Sequence, residues 1–309
     1  MNNRSWLIVP GDDDDRLSGA VGTGADAIIV DLEDGVTASG KAVARRYAAK
    51  WIAAHRHQIT EQKMARWVRI NSLDSGYWRD DLVAVIPSAP DGIILPKASG
   101  PDDVRQLAAE LYELEQRGGA PSGSIKIIPL VSETPRAAMT IGSYIDIPHQ
   151  RMIGMAWGAA DLSAVIGASR QKLPDGGGWT DAFRFVRAQT LLTAHACDML
   201  AIDAAHASHT DTDGVRAAAQ AARADGFTGM LAIHPAQVPI INEAFNPSTD
   251  ELDTARKVVD QFAENPGSGS LELDGRVIQK PHLTLARRQL GLEARPERTV
   301  ARTPMLRPA

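Results

Sequence analysis

The chain has 309 residues, of which 44% are hydrophobic and 23% charged, enough to bury a sizeable core in one large barrel or two ordinary domains. The net charge of −5 provides no basic field for a polyphosphate backbone, so we expect no nucleic-acid partner. With one cysteine, Cys197, and no apolar run long enough for a signal or a membrane span, we expect a cytoplasmic protein without a disulfide framework or a membrane partner.

Short β-branched runs, typical of strands buried on both faces, alternate with Ala-rich segments of helical period. In chain order the runs are SWLIVP from Ser5, DAIIVDLE from Asp26, ARWVRIN from Ala65, GIILPK from Gly92, IKIIPLVSE from Ile125, RMIGMAWG from Arg151, MLAID from Met199 and GMLAIH from Gly229. Eight βα units in about 235 residues predict an α/β fold, a (β/α)8 TIM barrel over residues 1–235. A doubly wound open sheet is the alternative, which the count of eight disfavours.

The character of the chain changes after the segment AIHPAQVPIINEAF, which ends at residue 245. The segment PSTDELDTARKVVDQFAEN indicates a capped amphipathic helix, LELDGRVIQ a hairpin around Asp274 and Gly275, and PHLTLARRQLGL a last helix. We therefore predict that residues 236–295 form a C-terminal helical and hairpin extension, which packs on the barrel or on a neighbouring subunit. Residues 296–309 are predicted to be a flexible tail.

In a barrel of this kind the active site lies at the carboxyl ends of the strands, so the polar residues that end the runs are the candidates. From the first run to the eighth they are Asp12, Asp31 with Glu33, Arg69 with Asn71, Lys97, Glu133, Asp161, Asp203 and His234. Several carboxylates at one mouth repel one another unless a divalent cation or protonation relieves the repulsion. A bound Mg²⁺ is the simpler solution.

Glu133 and Asp161 are the best metal candidates, because each follows an apolar strand and has small neighbours that let a ligand approach. Waters and substrate oxygens would complete the octahedral shell that Mg²⁺ prefers. The alternatives are a first-turn carboxylate for Glu133 and a helix N-cap for Asp161. Arg69 is a cation in an apolar strand, so it must meet the carboxylates, a substrate anion or a developing oxyanion. A structural ion pair is its alternative.

Three further segments carry weaker signals. HASH, with His206 and His209, precedes two aspartates and could suggest a transition-metal site, but nothing places these groups on one face, and a polar loop is favoured. Residues 174–181, PDGGGWTD, have too many glycines for a regular element and are a candidate mobile lid. The run Asp12 to Asp15 either charges the start of a helix or opposes an anionic ligand at the rim.

Several motifs follow one another in a fixed order: RSWLIVPG, GADAIIVDLEDGV, VRIN, GIILPKASGPDDV, IIPLVSETPRA, WGAADLS, GFTGMLAIHPAQVPIINEAF and LDGRVIQKPH. In this order they resemble the HpcH/HpaI aldolase and citrate lyase superfamily, and within it the citrate lyase β-subunit-like branch that includes malyl-CoA and citramalyl-CoA lyases. The resemblance extends over roughly residues 4 to 290.

The resemblance implies a Mg²⁺-dependent barrel enzyme that breaks or forms a carbon–carbon bond through an enolate. It further implies a homo-oligomer, either a trimer or a dimer of trimers. The metal ligands correspond to Glu133 and Asp161, and the arginine of the VRIN strand is Arg69. The acidic pair of the DLED motif falls on Asp31 and Glu33, which in such proteins lie near the metal and hold its waters.

The resemblance also implies roles at the edge of the site. Asp274 would cover the active site of an adjacent protomer and act as a catalytic acid/base, with a simple Asp-Gly turn as the alternative. Arg16 and Lys97 are candidate contacts for the phosphates of a CoA thioester. The expected activity is a lyase reaction on a 3-hydroxyacyl-CoA such as citramalyl-CoA, malyl-CoA or citryl-CoA. Aldol cleavage of free 4-hydroxy-2-keto acids, hydrolysis of malyl-CoA-type thioesters and an inert complex-forming subunit are the alternatives.

Overall fold

The computed structural model describes residues 3–55, 64–147, 149–174 and 178–292. Chain contacts divide it into two units, Met1–Phe245 and Asn246–Ala309. The predicted flexible tail, residues 296–309, lies outside the described residues. Within the described part of the chain, each helix is too short or too polar to cross a lipid bilayer.

The first unit is built on eight parallel strands in the order β5-β4-β3-β2-β1-β8-β7-β6. They are β1 Ser5–Pro10, β2 Ala27–Asp31, β3 Ala65–Arg69, β4 Gly92–Leu95, β5 Lys126–Pro129, β6 Gly154–Ala156, β7 Leu200–Asp203 and β8 Gly229–Ala232. Parallel bridges from Ile127 to Met152 and from Leu130 to Ala156 join β5 to β6, which closes the ring. The predicted (β/α)8 barrel is therefore confirmed and the open sheet is excluded.

Helices connect the strands around the outside of the barrel. They are α1 Asp14–Ala20, α2 Lys41–Ala54, α3 Trp78–Val85, α4 Pro101–Gly118, α5 Pro135–Thr140, α6 Ala160–Ile166, α7 Asp181–Ala196, α8 Thr212–Asp225 and α9 Gln237–Ala244. Short 3₁₀ turns occupy Val21–Thr23, Ala38–Gly40, Ile86–Ser88 and Ile141–Tyr144. The ends follow local chemistry. For example, α4 begins with Pro101 and is followed by Gly119, whose φ of 66° lies in the left-handed region.

Each barrel strand is buried on both faces, and its side chains alternate between two layers. In β2, Ile28 and Val30 pack in the layer between strands and helices, whereas Ala27 and Ile29 belong to the cluster inside the barrel. This alternation explains why the strand reads as a continuous apolar run. It also directs the next residue of the inner row, Asp31, towards the barrel axis at the carboxyl end of the strand.

Helix α9 belongs to the barrel unit, although the sequence places the domain boundary at residue 235. It packs against β1, β8 and α8. Ser5 at the start of β1 donates a hydrogen bond to Asn242 at 2.7 Å. The barrel unit consequently ends at Phe245 and not at the boundary expected from the sequence.

The second unit contains the predicted helix, hairpin and last helix: α10 Thr249–Glu264, β9 Ser270–Leu273, β10 Arg276–Gln279 and α11 Lys280–Gln289. Ser248 and Glu251 form the capping box of α10. Antiparallel pairing of β9 and β10 leaves Asp274 and Gly275 in the turn, with φ of 49° and 74°. The helical and hairpin extension expected from the sequence is thus present.

Candidate active site

Neighbouring strands place a carboxylate and a guanidinium side by side at the mouth of the barrel. Asp31 ends β2 and Arg69 ends β3, and the two are register partners in the parallel ladder. Arg69 donates from Nε to Asp31 Oδ1 and from Nη2 to Oδ2, both at 2.7 Å. Asp31 is 1% exposed and also accepts hydrogen bonds from the main-chain N–H groups of Glu33 and Gly35. The bidentate contact fixes the guanidinium plane of Arg69.

The charge state of this pair follows from its surroundings. Burial by itself would raise the pKa of Asp31, but Arg69 and the two main-chain amides outweigh it, so the pKa lies below its ordinary value. Gly35 is required for the geometry, because a Cβ at that position would lie 2.5 Å from Asp31 Oδ2. Asp31 is therefore an ionised anchor for Arg69.

Glu33 and Lys97 extend the ion-pair cluster. Lys97 Nζ lies 2.6 Å from Glu33 Oε1 and 3.1 Å from the nearer oxygen of Asp34. Arg69 Nη1 lies 3.4 Å from Glu33 Oε2, but no described residue forms a hydrogen bond with that oxygen. Burial raises the pKa of Glu33 against the opposing influence of Arg69 and Lys97. This buried oxygen is consequently available to a water or another donor.

Glu133 follows β5 and lies in the same mouth. It is 3% exposed, and its Oε2 accepts a hydrogen bond from the main-chain N–H of Lys97 at 2.6 Å. Burial, together with Glu33 and Asp161 nearby, raises the pKa of Glu133 to about 8, although Arg69 acts in the opposite direction. A carboxylate in such a position is stabilised by a further cation.

Glu133 does not lie in the first turn of a helix, and Asp161 is not a helix N-cap. Thr134 is the N-cap of α5 and accepts the N–H of Ala137, which places Glu133 before the helix. Ala159 is the N-cap of α6, and Asp161 lies in the first turn without a capping hydrogen bond. Both carboxylates line the same cavity.

The cavity has a volume of about 290 Å³ at the carboxyl end of the barrel. Its walls are mainly aliphatic, with Ile8, Ile29, Ile94, Leu130, Leu231 and Ile233 among the lining residues. The polar side chains that reach it are those of Arg69, Glu133, Asp161 and Gln171. A few charged groups in an apolar concave site are typical of a small-molecule binding pocket.

The donor set fits a hard divalent cation. Within the described residues, no group of three or more His, Cys, Asp and Glu side chains is arranged to hold a metal ion. Glu133 and Asp161 would therefore supply two oxygen ligands, with the remaining positions left to water and substrate, as Mg²⁺ commonly requires. The unsatisfied oxygen of Glu33 and the unfavourable burial of Glu133 both favour an added positive charge.

The histidines of the HASH segment have other contacts. His206 Nδ1 lies 2.9 Å from the Ser208 carbonyl oxygen, and His209 stacks on His234 with ring centroids 4.2 Å apart. These contacts favour the polar-loop interpretation of the segment over a transition-metal site.

Two other strand-end residues stabilise the barrel. Asn71 donates from Nδ2 to the Leu32 carbonyl and to Asp81. Asp203 accepts hydrogen bonds from Trp157 and Arg187. The rule that polar strand ends gather at the mouth therefore selects structural groups together with the candidate catalytic ones.

The candidate CoA contacts have carboxylate partners. Arg16, on α1, is largely exposed, and its Nε lies 3.1 Å from Asp13 Oδ2. Asp13 caps α1, and Asp14 and Asp15 lie in its first turn, which agrees with the helix-start interpretation of the acidic run. The ammonium of Lys97 donates hydrogen bonds to the carboxylates of Glu33 and Asp34. Phosphate binding by Arg16 or Lys97 stays a prediction, and these ion pairs disfavour it for Lys97.

The structure also adds residues that sequence reasoning did not select. Lys41, buried at the start of α2, donates from Nζ to the carbonyl oxygens of Leu32 and Glu33 at 2.7 Å and supports the acidic loop. Gln171 and Trp179 line the cavity. The glycine-rich run at 174–181 drew attention to the second of them, but residues 175–177 lie outside the described residues.

Asp274 lies in the second unit, at the β9–β10 turn. It is exposed, and Lys257 Nζ lies 3.6 Å from its Oδ2. Its φ of 49° is the left-handed conformation that a two-residue hairpin turn requires. A catalytic role for this residue stays a prediction.

Known proteins resemble this chain over nearly its whole length. The model of the HpcH/HpaI aldolase/citrate lyase family matches residues 4–235. A (3S)-malyl-CoA thioesterase of Cereibacter sphaeroides is 33% identical over 290 residues, which cover 93% of each chain. The mitochondrial citramalyl-CoA lyase of Rattus norvegicus is 28% identical over 92% of this chain and 83% of its own. The crystal structure of CitE from Mycobacterium tuberculosis with magnesium, acetoacetate and coenzyme A is 32% identical, with a TM-score of 0.76 over 94% of this chain and 98% of that one.

Proposed function

The chain belongs to the HpcH/HpaI aldolase/citrate lyase family, and from that premise we propose that it is a Mg²⁺-dependent carbon–carbon lyase. Its proposed substrate is a 3-hydroxyacyl-CoA such as citramalyl-CoA, malyl-CoA or citryl-CoA, which it cleaves or, in reverse, forms. The observation that carries the proposal is the placement of Glu133, Asp161 and Arg69 around one apolar cavity. The magnesium and coenzyme A in the related CitE structure support the same choice.

Glu133 and Asp161 would hold Mg²⁺, which when bound supplies positive charge that polarises a substrate oxygen. In the cleavage direction the substrate hydroxyl loses its proton to a base, and the carbon–carbon bond breaks to give a keto acid and the enolate of an acyl-CoA. This enolate then takes up a proton to become the acyl-CoA product. Arg69 stabilises the oxygen on which negative charge develops, because its Nε and Nη2 are fixed on Asp31 and its guanidinium lines the cavity. The aliphatic wall limits water near the enolate and so protects it from stray protonation.

We assign the acid/base role to Asp274 of an adjacent protomer and propose a homo-oligomer, a trimer or a dimer of trimers. Exposed apolar side chains on α5, α6 and α7, including Met139, Val165 and Leu192, support association with another copy. Mixing inactive Asp274→Ala and Arg69→Ala chains should restore activity if a site is shared between protomers. No recovery under conditions where subunits exchange would contradict this assignment.

Hydrolysis of the same thioester is the second candidate, and the 33% identical (3S)-malyl-CoA thioesterase favours it. In that reaction a water attacks the thioester carbonyl and CoA leaves as the thiol, with no cleavage of a carbon–carbon bond. The Arg69 guanidinium would serve equally well to stabilise the oxyanion of this reaction. Because the two reactions break different bonds, their products distinguish them.

One experiment separates these reactions. Purified protein is incubated with Mg²⁺ and a panel of 3-hydroxyacyl-CoAs and free 4-hydroxy-2-keto acids, and both free thiol and released keto acid are measured. Keto acid with an acyl-CoA product supports the lyase, and thiol without keto acid supports the thioesterase. Turnover of free keto acids alone would support an aldolase. Absence of turnover with every CoA ester would overturn the leading proposal.

A further inference from the structure

Lys97 has a left-handed main-chain conformation at the mouth of the barrel. Its φ is 52°, a value that residues with a side chain rarely adopt. It follows β4 by two positions, and its main-chain N–H donates to Glu133 Oε2 at 2.6 Å. Its ammonium lies 2.6 Å from Glu33 Oε1. One residue in an unfavourable conformation therefore holds one oxygen of each of two buried glutamates.

The two contacts leave the second oxygen of each glutamate without a contact to Lys97. Gly158, which lines the cavity, lies on the side of Glu133 Oε1, because a Cβ on this glycine would be 3.8 Å from that oxygen. Glu33 Oε2 is buried and has no hydrogen bond from any described residue. The contact of the Lys97 N–H with Oε2 therefore leaves Oε1 as the oxygen of Glu133 on the cavity side.

We propose that Lys97 is a positioning residue for the metal site, and that its left-handed main chain orients Glu133 so that Oε1 is presented to the cation. The inference rests on the proposed function, since it takes Glu133 as a metal ligand. The ion pairs of the ammonium with Glu33 and Asp34 anchor the side chain and offset the unfavourable backbone conformation. Hydrogen bonds to a residue that ligates a metal orient that residue and tune the affinity of the site for the metal.

The main-chain role and the side-chain role can be separated by substitution. Glycine adopts φ near +52° without cost, so Lys97→Gly removes the ammonium and keeps the N–H aimed at Glu133. Valine is β-branched and strongly disfavours that conformation, so Lys97→Val removes the ammonium and also turns the N–H away. A matched control is Ala89→Val, because Ala89 has a φ of 54° and precedes β4 at the opposite end of the barrel.

The test measures Mg²⁺ affinity of the full chain by isothermal titration calorimetry, together with the melting temperature of each variant. We expect Lys97→Gly to bind Mg²⁺ within about threefold of the wild type, and Lys97→Val to bind at least about tenfold more weakly. Ala89→Val should lower the melting temperature without changing the Mg²⁺ affinity. Equal affinities of the glycine and valine variants, or a valine variant within threefold of the wild type, would overturn the proposed positioning role.

Glu133→Gln distinguishes failure of this inference from failure of the proposed function. If the wild type binds Mg²⁺ and Glu133→Gln does not, the metal assignment holds and the Lys97 variants decide the positioning role. If Glu133→Gln binds as tightly as the wild type, or the wild type does not bind, the metal assignment itself is wrong and the positioning role fails with it. A valine variant that unfolds at the titration temperature is replaced by Lys97→Thr, which is also β-branched.

Discussion

Among the described residues of the barrel, two buried carboxylate–arginine pairs are built in the same way, and they allow a matched mutational test. Asp31 accepts two hydrogen bonds from Arg69 and two from main-chain amides, and Glu115 likewise accepts two from Arg151 and two from the amides of Gly123 and Ile125. Asp31 ends its strand at the mouth, whereas Glu115 lies near the end of α4, before β5, and Arg151 precedes β6, at the other end of the barrel. We predict that Asp31→Asn and Glu115→Gln both destabilise the fold, but that only Asp31→Asn impairs the reaction.

The expected loss of folding stability follows from the environment of each ion pair. Removing the charge of one partner leaves a buried guanidinium uncompensated, which costs about 3–5 kcal/mol. Glu115 is fully buried and the Arg151 side chain is 7% exposed, so Glu115→Gln should lie within this range. Asp31→Asn should cost about 3 kcal/mol, since the Arg69 side chain is 13% exposed and Glu33 stays 3.4 Å away. Urea denaturation at pH 7 measures both differences.

Catalysis should separate the variants. A loosely held Arg69 would misplace charge at the developing oxyanion, so Asp31→Asn should lower kcat/KM by about 100-fold. Glu115→Gln should remain within about twofold of the wild type at a temperature where it is folded. Equal loss of activity in the two variants, or wild-type turnover by Asp31→Asn, would refute the assigned role of the Asp31–Arg69 pair.

The same comparison has a pH dependence. Although burial raises the pKa of Glu115, Arg151 and the main-chain amides outweigh it, so the pKa in the folded state lies below its ordinary value. A lowered pKa contributes stability that is present above the unfolded value of about 4.3 and lost as the pH falls through the folded value. The stability difference between the wild type and Glu115→Gln should therefore shrink below about pH 4. A difference that is constant or grows in acid would contradict the ion-pair explanation.

Three further results are expected. Arg69→Lys should lower kcat by about 100-fold or more while leaving the fold intact by circular dichroism, because an ammonium cannot reproduce the bidentate contact with Asp31; wild-type kcat would contradict the oxyanion role. Asp161→Asn should abolish Mg²⁺-dependent turnover, and a chelator should stop the wild-type reaction until Mg²⁺ is restored; activity in excess chelator would contradict the metal requirement. Gly92→Ala should destabilise the barrel by about 1–3 kcal/mol in urea denaturation, because the added Cβ would lie 2.2 Å from the Trp67 ring; a neutral effect would contradict this packing.

Much of the fold could be predicted because each strand and helix has a recognisable pattern within its own short stretch of sequence. Strands covered on both faces need continuous apolar runs, and the crossover helices need amphipathic segments between them, so eight units could be counted directly. The same geometry brings strand ends to one mouth, which is why Arg69, Glu133 and Asp161 could be selected before any distance was known. The domain boundary expected at residue 235 differs from the end of the barrel unit at Phe245, since α9 belongs to that unit through its contacts with β1 and β8.

By itself the sequence determined the barrel, the mouth and the acid-rich character of the site, because strand periodicity and strand ends depend on neighbouring residues. Only the tertiary structure decided which charges meet. The pairing of Asp31 with Arg69 depends on the register of β2 and β3. The position of Lys97 depends on a left-handed main-chain conformation that no local sequence pattern predicts. Partners in this cluster lie tens of residues apart in the sequence. In a closed barrel the distance between them in space is set by strand register and shear, and not by their distance along the chain.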